Sequence, residues 1–230
     1  MLRSLKALKG YHLGAVDGEL GWVDDTLFDD ETWYVRYLVA KTGSWLFGRK
    51  VLILRHALGE VDWATRTIRI MLTQAQLKGA PDLATDAPVS RQQEHELLTH
   101  FGYTPYWQPP PHPTMGAEAS GDVHLRSVGA VAGYRISAEN EEFGEVADFI
   151  ADDQSWAIRY IVVGNRKWLP GRQVLVLPEW IRQVDWASHT VSLPLTREQI
   201  EQAPPYEPSA PINRQYEQRV YDFYGRPHYW

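Results

Sequence analysis

Cysteine is missing from all 230 residues. That excludes a disulfide framework, a thiol nucleophile and a thiolate metal site, and it agrees with a reducing, cytoplasmic setting. No apolar run approaches the roughly 20 residues needed to cross a bilayer. The opening stretch, MLRSLKALKGYHLG, carries positive charge without the continuous apolar core of a signal peptide. The expectation is a soluble cytoplasmic protein with no membrane insertion. An excess of positive charge is also lacking, because 23 basic side chains face 29 acidic ones for a net charge of −6. The first 120 residues hold 12 basic and 14 acidic side chains and the remainder 11 and 15, so neither half offers the basic footprint that nucleic acid requires. Serine-hydrolase elbows, phosphate loops and glycine-rich nucleotide fingerprints are absent as well. A non-enzymatic chain without a cofactor is therefore expected.

What the chain does have is a repeat. Residues 10–107 align with residues 133–230 without a gap, at a constant offset of 123, and roughly two positions in five are identical. WLFGRKVLIL in the first copy reads WLPGRQVLVL in the second. This divides the chain into residues 1–107, a linker at 108–127 and residues 128–230, each copy being long enough to bury a core of its own. In the linker, Pro109, Pro110, Pro111 and Pro113 favour a stiff extended chain, and the small residues after them favour flexibility.

Within each copy the periodicity is mostly two. Val35, Tyr37 and Val39 alternate with Tyr34, Arg36 and Leu38, and short strand-like runs follow at 50–54 and 67–72, echoed at 156–163, 173–177 and 190–195. Short β-branched and aromatic runs at this spacing predict a small antiparallel barrel or sandwich. Asp29-Asp30-Glu31-Thr32 and Asp152-Asp153-Gln154-Ser155 sit between two such runs, where an Asp side chain caps its own backbone. Gly21 and Gly144 open a strand and mark a bulge or a close backbone approach. Helices come late in each copy. Thr73-Gln74-Ala75-Gln76 and Thr196-Arg197-Glu198-Gln199 fit capping boxes, and their helices stop before Pro81 and Pro204. Second helices are predicted over 91–101 and 214–224, with Leu97 and Phe101 on one face, matching Val220 and Tyr224.

The order of these motifs resembles the PRC-barrel family. Gly10-Tyr11 and Gly133-Tyr134 are followed by Glu19, Gly21, Val23 and Asp25 and by Glu142, Gly144, Val146 and Asp148. Arg36-Tyr37 and Arg159-Tyr160 come next, then the strands after Gly48 and Gly171, then the capped helices. The resemblance implies an all-β fold with short helices: two tandem small barrels, each with a helix and a helix-plus-tail, arranged as a pseudo-twofold pair. It points to bacterial proteins of unknown role and to the cytoplasmic domain of the photosynthetic reaction-centre H subunit. It implies a non-enzymatic protein-binding or scaffold module, associated with a membrane complex such as a reaction centre. The partner is a protein, and the chain is a monomer with an internal pseudo-dimer, or a homodimer. The alternative is a small-ligand protein that binds an anion or a quinone-like molecule in a cleft between the barrels.

Candidate residues follow from the same comparison. Tryptophans that recur, such as Trp33 with Trp156 and Trp63 with Trp186, read as parts of the frame rather than as a site. The acidic turns lack the spacing of a calcium loop, and none of the eight histidines recurs, so no metal is expected. Arg36 with Asp62 and Arg159 with Asp185 are expected to form structural ion pairs, since a charge inside a strand pattern needs a partner; an anion-binding arginine is the functional alternative. Aromatics anchor interfaces, so Tyr106, Trp107, Tyr229 and Trp230 in the tails are interface candidates, with each tail expected to cross to the other barrel. Trp22, Phe47, His56 and Trp180 join them because they stand where the copies diverge, as in Arg55-His56-Ala57 against Pro178-Glu179-Trp180.

Overall fold

A computed structural model describes residues 1–81, 89–107, 123–139, 141–164 and 171–230, apart from the side chains of Trp45 and Val123. The expected linker lies outside the described residues from 108 to 122, as do Trp168 and Pro170. In chain order the elements are β1 (Leu2–Ser4), β2 (His12–Ala15), β3 (Gly18–Asp29), β4 (Tyr34–Thr42), β5 (Lys50–Leu54), β6 (Leu58–Asp62), β7 (Thr67–Ile70), α1 (Gln74–Lys78), β8 (Val89–Ser90), α2 (Arg91–His100) and β9 (Val123–Ser127). There follow α3 (Val128–Val131), β10 (Arg135–Ala138), β11 (Glu141–Asp152), β12 (Ile158–Gly164), β13 (Gln173–Val176), β14 (Gln183–Asp185), β15 (Thr190–Leu193), α4 (Arg197–Gln202), β16 (Pro205–Tyr206) and α5 (Arg214–Phe223). The chain is mostly β with short helices, none of them long and apolar enough to cross a membrane among the described residues.

Two units emerge, one of Leu8–Ser127 and one of Met1–Ala7 with Val128–Trp230. In the first unit the strand order is β5-β4-β3-β2-β7-β6. The long β3 serves two partners on one edge, with β2 against Gly18–Trp22 and β9 against Leu27–Asp29. The second unit repeats this as β13-β12-β11-β10-β15-β14, with β1 on β11. Even the irregularities repeat, since β3 bulges between Val23 and Asp25 and β11 between Val146 and Asp148. The described ladders form open sheets, each mixed because β2–β7 and β10–β15 pair in parallel.

These boundaries differ from the expected ones. Residues 1–7 belong with the second copy, and 123–127, assigned to the linker, form a strand of the first unit. The reason is a further echo upstream of Gly10: Leu2-Arg3-Ser4 and Leu125-Arg126-Ser127 stand at the same offset and make the same pairing.

Local chemistry explains the frame. In β4 the expected alternation holds at its start, but Tyr37, Leu38, Val39 and Ala40 are all buried, so the strand middle is covered on both faces. Burying one such apolar side chain stabilises by roughly 1.5–3 kcal/mol. Gly21 has φ of +139°, and a Cβ there would lie 2.1 Å from the Lys41 carbonyl oxygen, the close approach its position suggested. The turns are built by Asp29 and Asp152, whose Oδ1 accepts from the Thr32 and Ser155 amides at 2.9 and 2.8 Å. Each turn ends on a tryptophan in the left-handed region, Trp33 or Trp156. Thr73 and Thr196 close the two capping boxes as expected, and Ser90 forms a third at the start of α2.

Candidate functional site

The buried charge of each unit sits at its second helix. In the first, Tyr37 Oη donates to Glu94 Oε1 at 2.9 Å, and Arg91 Nη1 donates to Glu94 Oε2 at 3.3 Å. Arg91 also reaches Asp29 Oδ2 at 3.3 Å, and both carboxylates are almost wholly buried. In the second, Tyr160 Oη donates to Glu217 Oε1 at 2.9 Å and Arg214 pairs with Glu217 at 3.1 Å. Burial raises the Glu94 carboxyl above its usual range despite bonds from Tyr37 and Tyr106 and the Arg91 charge. Burial also acts on Asp29, but the Thr32 and Tyr106 bonds and the Arg36 charge outweigh it and hold that carboxyl low.

This corrects the expected pairs. Asp62 and Asp185 are exposed, and their Oδ1 atoms accept from Ala64 and Thr65 and from Ala187 and Ser188, which caps turns. Arg36 is not brought to Asp62, nor Arg159 to Asp185. Arg36 donates to Thr32 Oγ1 at 3.0 Å and stacks over the Tyr106 ring at 3.7 Å, as Arg159 lies over Tyr229 at 4.7 Å. An Asp that opens an Asp-Trp-Ala-Thr turn has backbone amides within reach and needs no arginine. The sequence signal for the real pairs was Arg-x-x-Glu in both helices, Arg91 with Glu94 and Arg214 with Glu217.

The tails are corrected too. Tyr106 donates to Asp29 Oδ2 at 2.9 Å and accepts from Arg91 at 2.7 Å, while Trp107 lies under Arg91 at 4.6 Å. Tyr229 donates to Glu217 at 2.9 Å, and Trp230 faces Arg214 at 4.2 Å. Each tail therefore folds back on its own copy instead of crossing, because its own helix supplies the partner for its tyrosine.

Tail and strand together line a cavity of about 250 Å³ in the first unit, with Arg36, Arg55, His56, Tyr37, Tyr103 and Tyr106 among the described residues of its wall. Arg36 Nε is buried without a hydrogen-bond partner, as is Arg159 Nε at the same place in the second unit. His56 stands at the rim, its ring parallel to Tyr103 at 6.0 Å. Partial burial and the charges of Arg55 and Arg36 lower the His56 imidazole below its ordinary value. Burial and Arg36 likewise lower Arg55. Two guanidinium groups and an imidazole thus converge on one hollow, an arrangement that can receive an anion.

The second unit keeps Arg159, Tyr160 and Tyr229 but replaces Arg55-His56-Ala57 by Pro178-Glu179-Trp180. Trp180 is only 6% exposed and packs on Tyr221 and Tyr224, so it is not available as an interface residue. A hollow of about 430 Å³ in this unit is lined by Lys6, Glu145 and Arg172 among others. Its charges are of mixed sign, and Arg172 donates to the Ala203 carbonyl as Arg49 does to Ala80, a frame contact found in both copies. Of the other interface candidates, Phe47 is 98% exposed, and Trp22, Tyr229 and Trp230 are partly so. A scan against family models gives no match to the chain, and a search of curated proteins gives none either.

Proposed function

We propose that this chain is a non-enzymatic binding protein whose first unit takes up a small anion, a carboxylate or a phosphate, in the cavity of Arg36, Arg55 and His56. The observation that carries the reading is that two guanidinium groups and an imidazole line one hollow. The ligand site of this reading lies within one unit rather than in a cleft between two barrels. The frame around it is read as PRC-barrel-like; the matching registers and bulges of the two units support two copies of one fold.

Thermal unfolding with inorganic phosphate, benzoate or a water-soluble quinone tests it. A bound ligand at about 100 times its Kd stabilises by about 2.7 kcal/mol. Phosphate or benzoate is expected to raise the melting temperature of the native chain and not of Arg55→Gln. Stabilisation by the quinone alone, or by none of the three, contradicts the reading. A second reading, a protein-docking or scaffold role at a membrane complex, is favoured by one observation. Phe47 is almost fully exposed in a left-handed conformation between β4 and β5, a costly placement for an aromatic ring without a contact to make. Loss of a captured partner on Phe47→Ser, with retention in Arg55→Gln, would favour it.

A further inference from the structure

Strands β1 and β9 are recognised in the same way, over three residues each, by two different units. Leu2, Arg3 and Ser4 pair with Asp152, Ala151 and Ile150, and Leu125, Arg126 and Ser127 pair with Asp29, Phe28 and Leu27. The offset of 123 maps one register onto the other. Flanking backbone bonds repeat as well: the Asp153 amide donates to the Met1 carbonyl at 2.8 Å, and the Asp30 amide to the His124 carbonyl at 3.0 Å.

The side chains are read by a matched set of carboxylates. Ser4 Oγ donates to Asp148 Oδ2, and Ser127 Oγ donates to Asp25 Oδ2. Arg3 Nε lies 3.3 Å from Asp153 Oδ2, and Arg126 Nε 2.7 Å from Asp30 Oδ2. Leu125 is buried beside Leu27, Tyr37 and Leu97. Asp25 and Asp148 also accept the amide of the following residue at 2.7 Å, a contact made within the slot itself. The edges at Leu27–Asp29 and Ile150–Asp152 are therefore formed slots that select a Leu-Arg-Ser strand by main-chain pairing and two acidic side chains.

In both units the strand that fills the slot comes from the segment preceding the other copy, and at the second slot the Met1 ammonium and the Lys6 amide add contacts to Asp153 and Asp148. We propose that each slot is a β-augmentation site for a Leu-Arg-Ser strand in trans, and that the partner it fits is a second copy of this chain. Covalent linkage in one chain favours the native strand over one from a second chain when dilute, so the closed monomer dominates there. Exchange between chains appears when they refold together at high concentration, as in domain swapping. The inference does not rest on the anion cavity.

Two full-length variants test it. Arg3→Glu spoils the strand and leaves the slot intact; Asp153→Arg spoils the slot and leaves the strand intact. Refolded as a mixture, they can restore the native contact at one slot and a charge-reversed contact at the other. The expected result is a species of twice the monomer mass by light scattering in the mixture and not in either variant alone. In parallel, native-sequence chains carrying donor or acceptor dyes at a single introduced cysteine are refolded together, and energy transfer is expected in the dimer fraction. If the variants fold poorly, recovery of folded protein only on mixing counts as the same support. A mixture that stays monomeric or unfolded, together with no energy transfer between native-sequence chains, overturns the proposal.

Discussion

At the scale of single residues, burial decides what a charge does. Arg91 has a nearly buried side chain held among Asp29, Glu31 and Glu94, whereas its counterpart Arg214 is half exposed beside Glu217. Removing one partner of a buried network costs about 3–5 kcal/mol; Glu217 is buried too, but it keeps the Tyr160 and Tyr229 hydroxyls when its half-exposed arginine is lost. Urea unfolding should therefore show a larger loss for Arg91→Met than for Arg214→Met; equal losses would contradict the burial argument. His56 gives a pH dependence. Its folded-state value lies below the ordinary 6.5, so the folded chain resists protonation and the unfolded chain does not. The associated stability is complete above pH 6.5 and is lost as pH falls from there through the folded value. Native protein should lose melting temperature over that interval by more than His56→Gln does. An anion stabilises the imidazolium, so benzoate, which keeps its charge there, should bind more tightly as pH falls through the same window, and His56→Gln should flatten that trend.

At the scale of elements, much was legible in the sequence, and the exceptions have physical causes. The Asp29 and Asp152 turns, the Thr73 and Thr196 caps and the second helices could be read because each rests on a few neighbouring residues. Gly21 could be read for the same reason, and Gly21→Ala should cost at least about 1–3 kcal/mol in urea unfolding, since the added methyl meets backbone that cannot move aside; a neutral substitution would remove the close approach as the reason for glycine there. The partner of Arg36 could not be read, because a strand arginine looks alike whether it stacks on Tyr106 or pairs with an aspartate. The cavity was legible only in outline: Arg55-His56-Ala57 stood out as a divergence, but its convergence with Arg36 and Tyr103 depends on how the tail folds back. The strand slots were missed because Leu-Arg-Ser is too short to signal a strand, although it recurs at the repeat offset.

At the scale of the whole molecule, duplication separates what the fold needs from what one copy adds. The Tyr–Glu–Arg contacts, the capped helices and the slotted strands occur twice and account for the frame. The cavity lining of Arg55 and His56 occurs once, in the first unit, where the second has Pro178 and Glu179. The central claim is that this single-copy feature is the binding site. An amide NMR titration of the full chain with inorganic phosphate tests it most directly. The account predicts saturable shifts at Arg36, Arg55, His56 and Tyr103 with none at Arg159, Glu179 and Arg226; no saturable shift, or equal shifts at both sets, would contradict it.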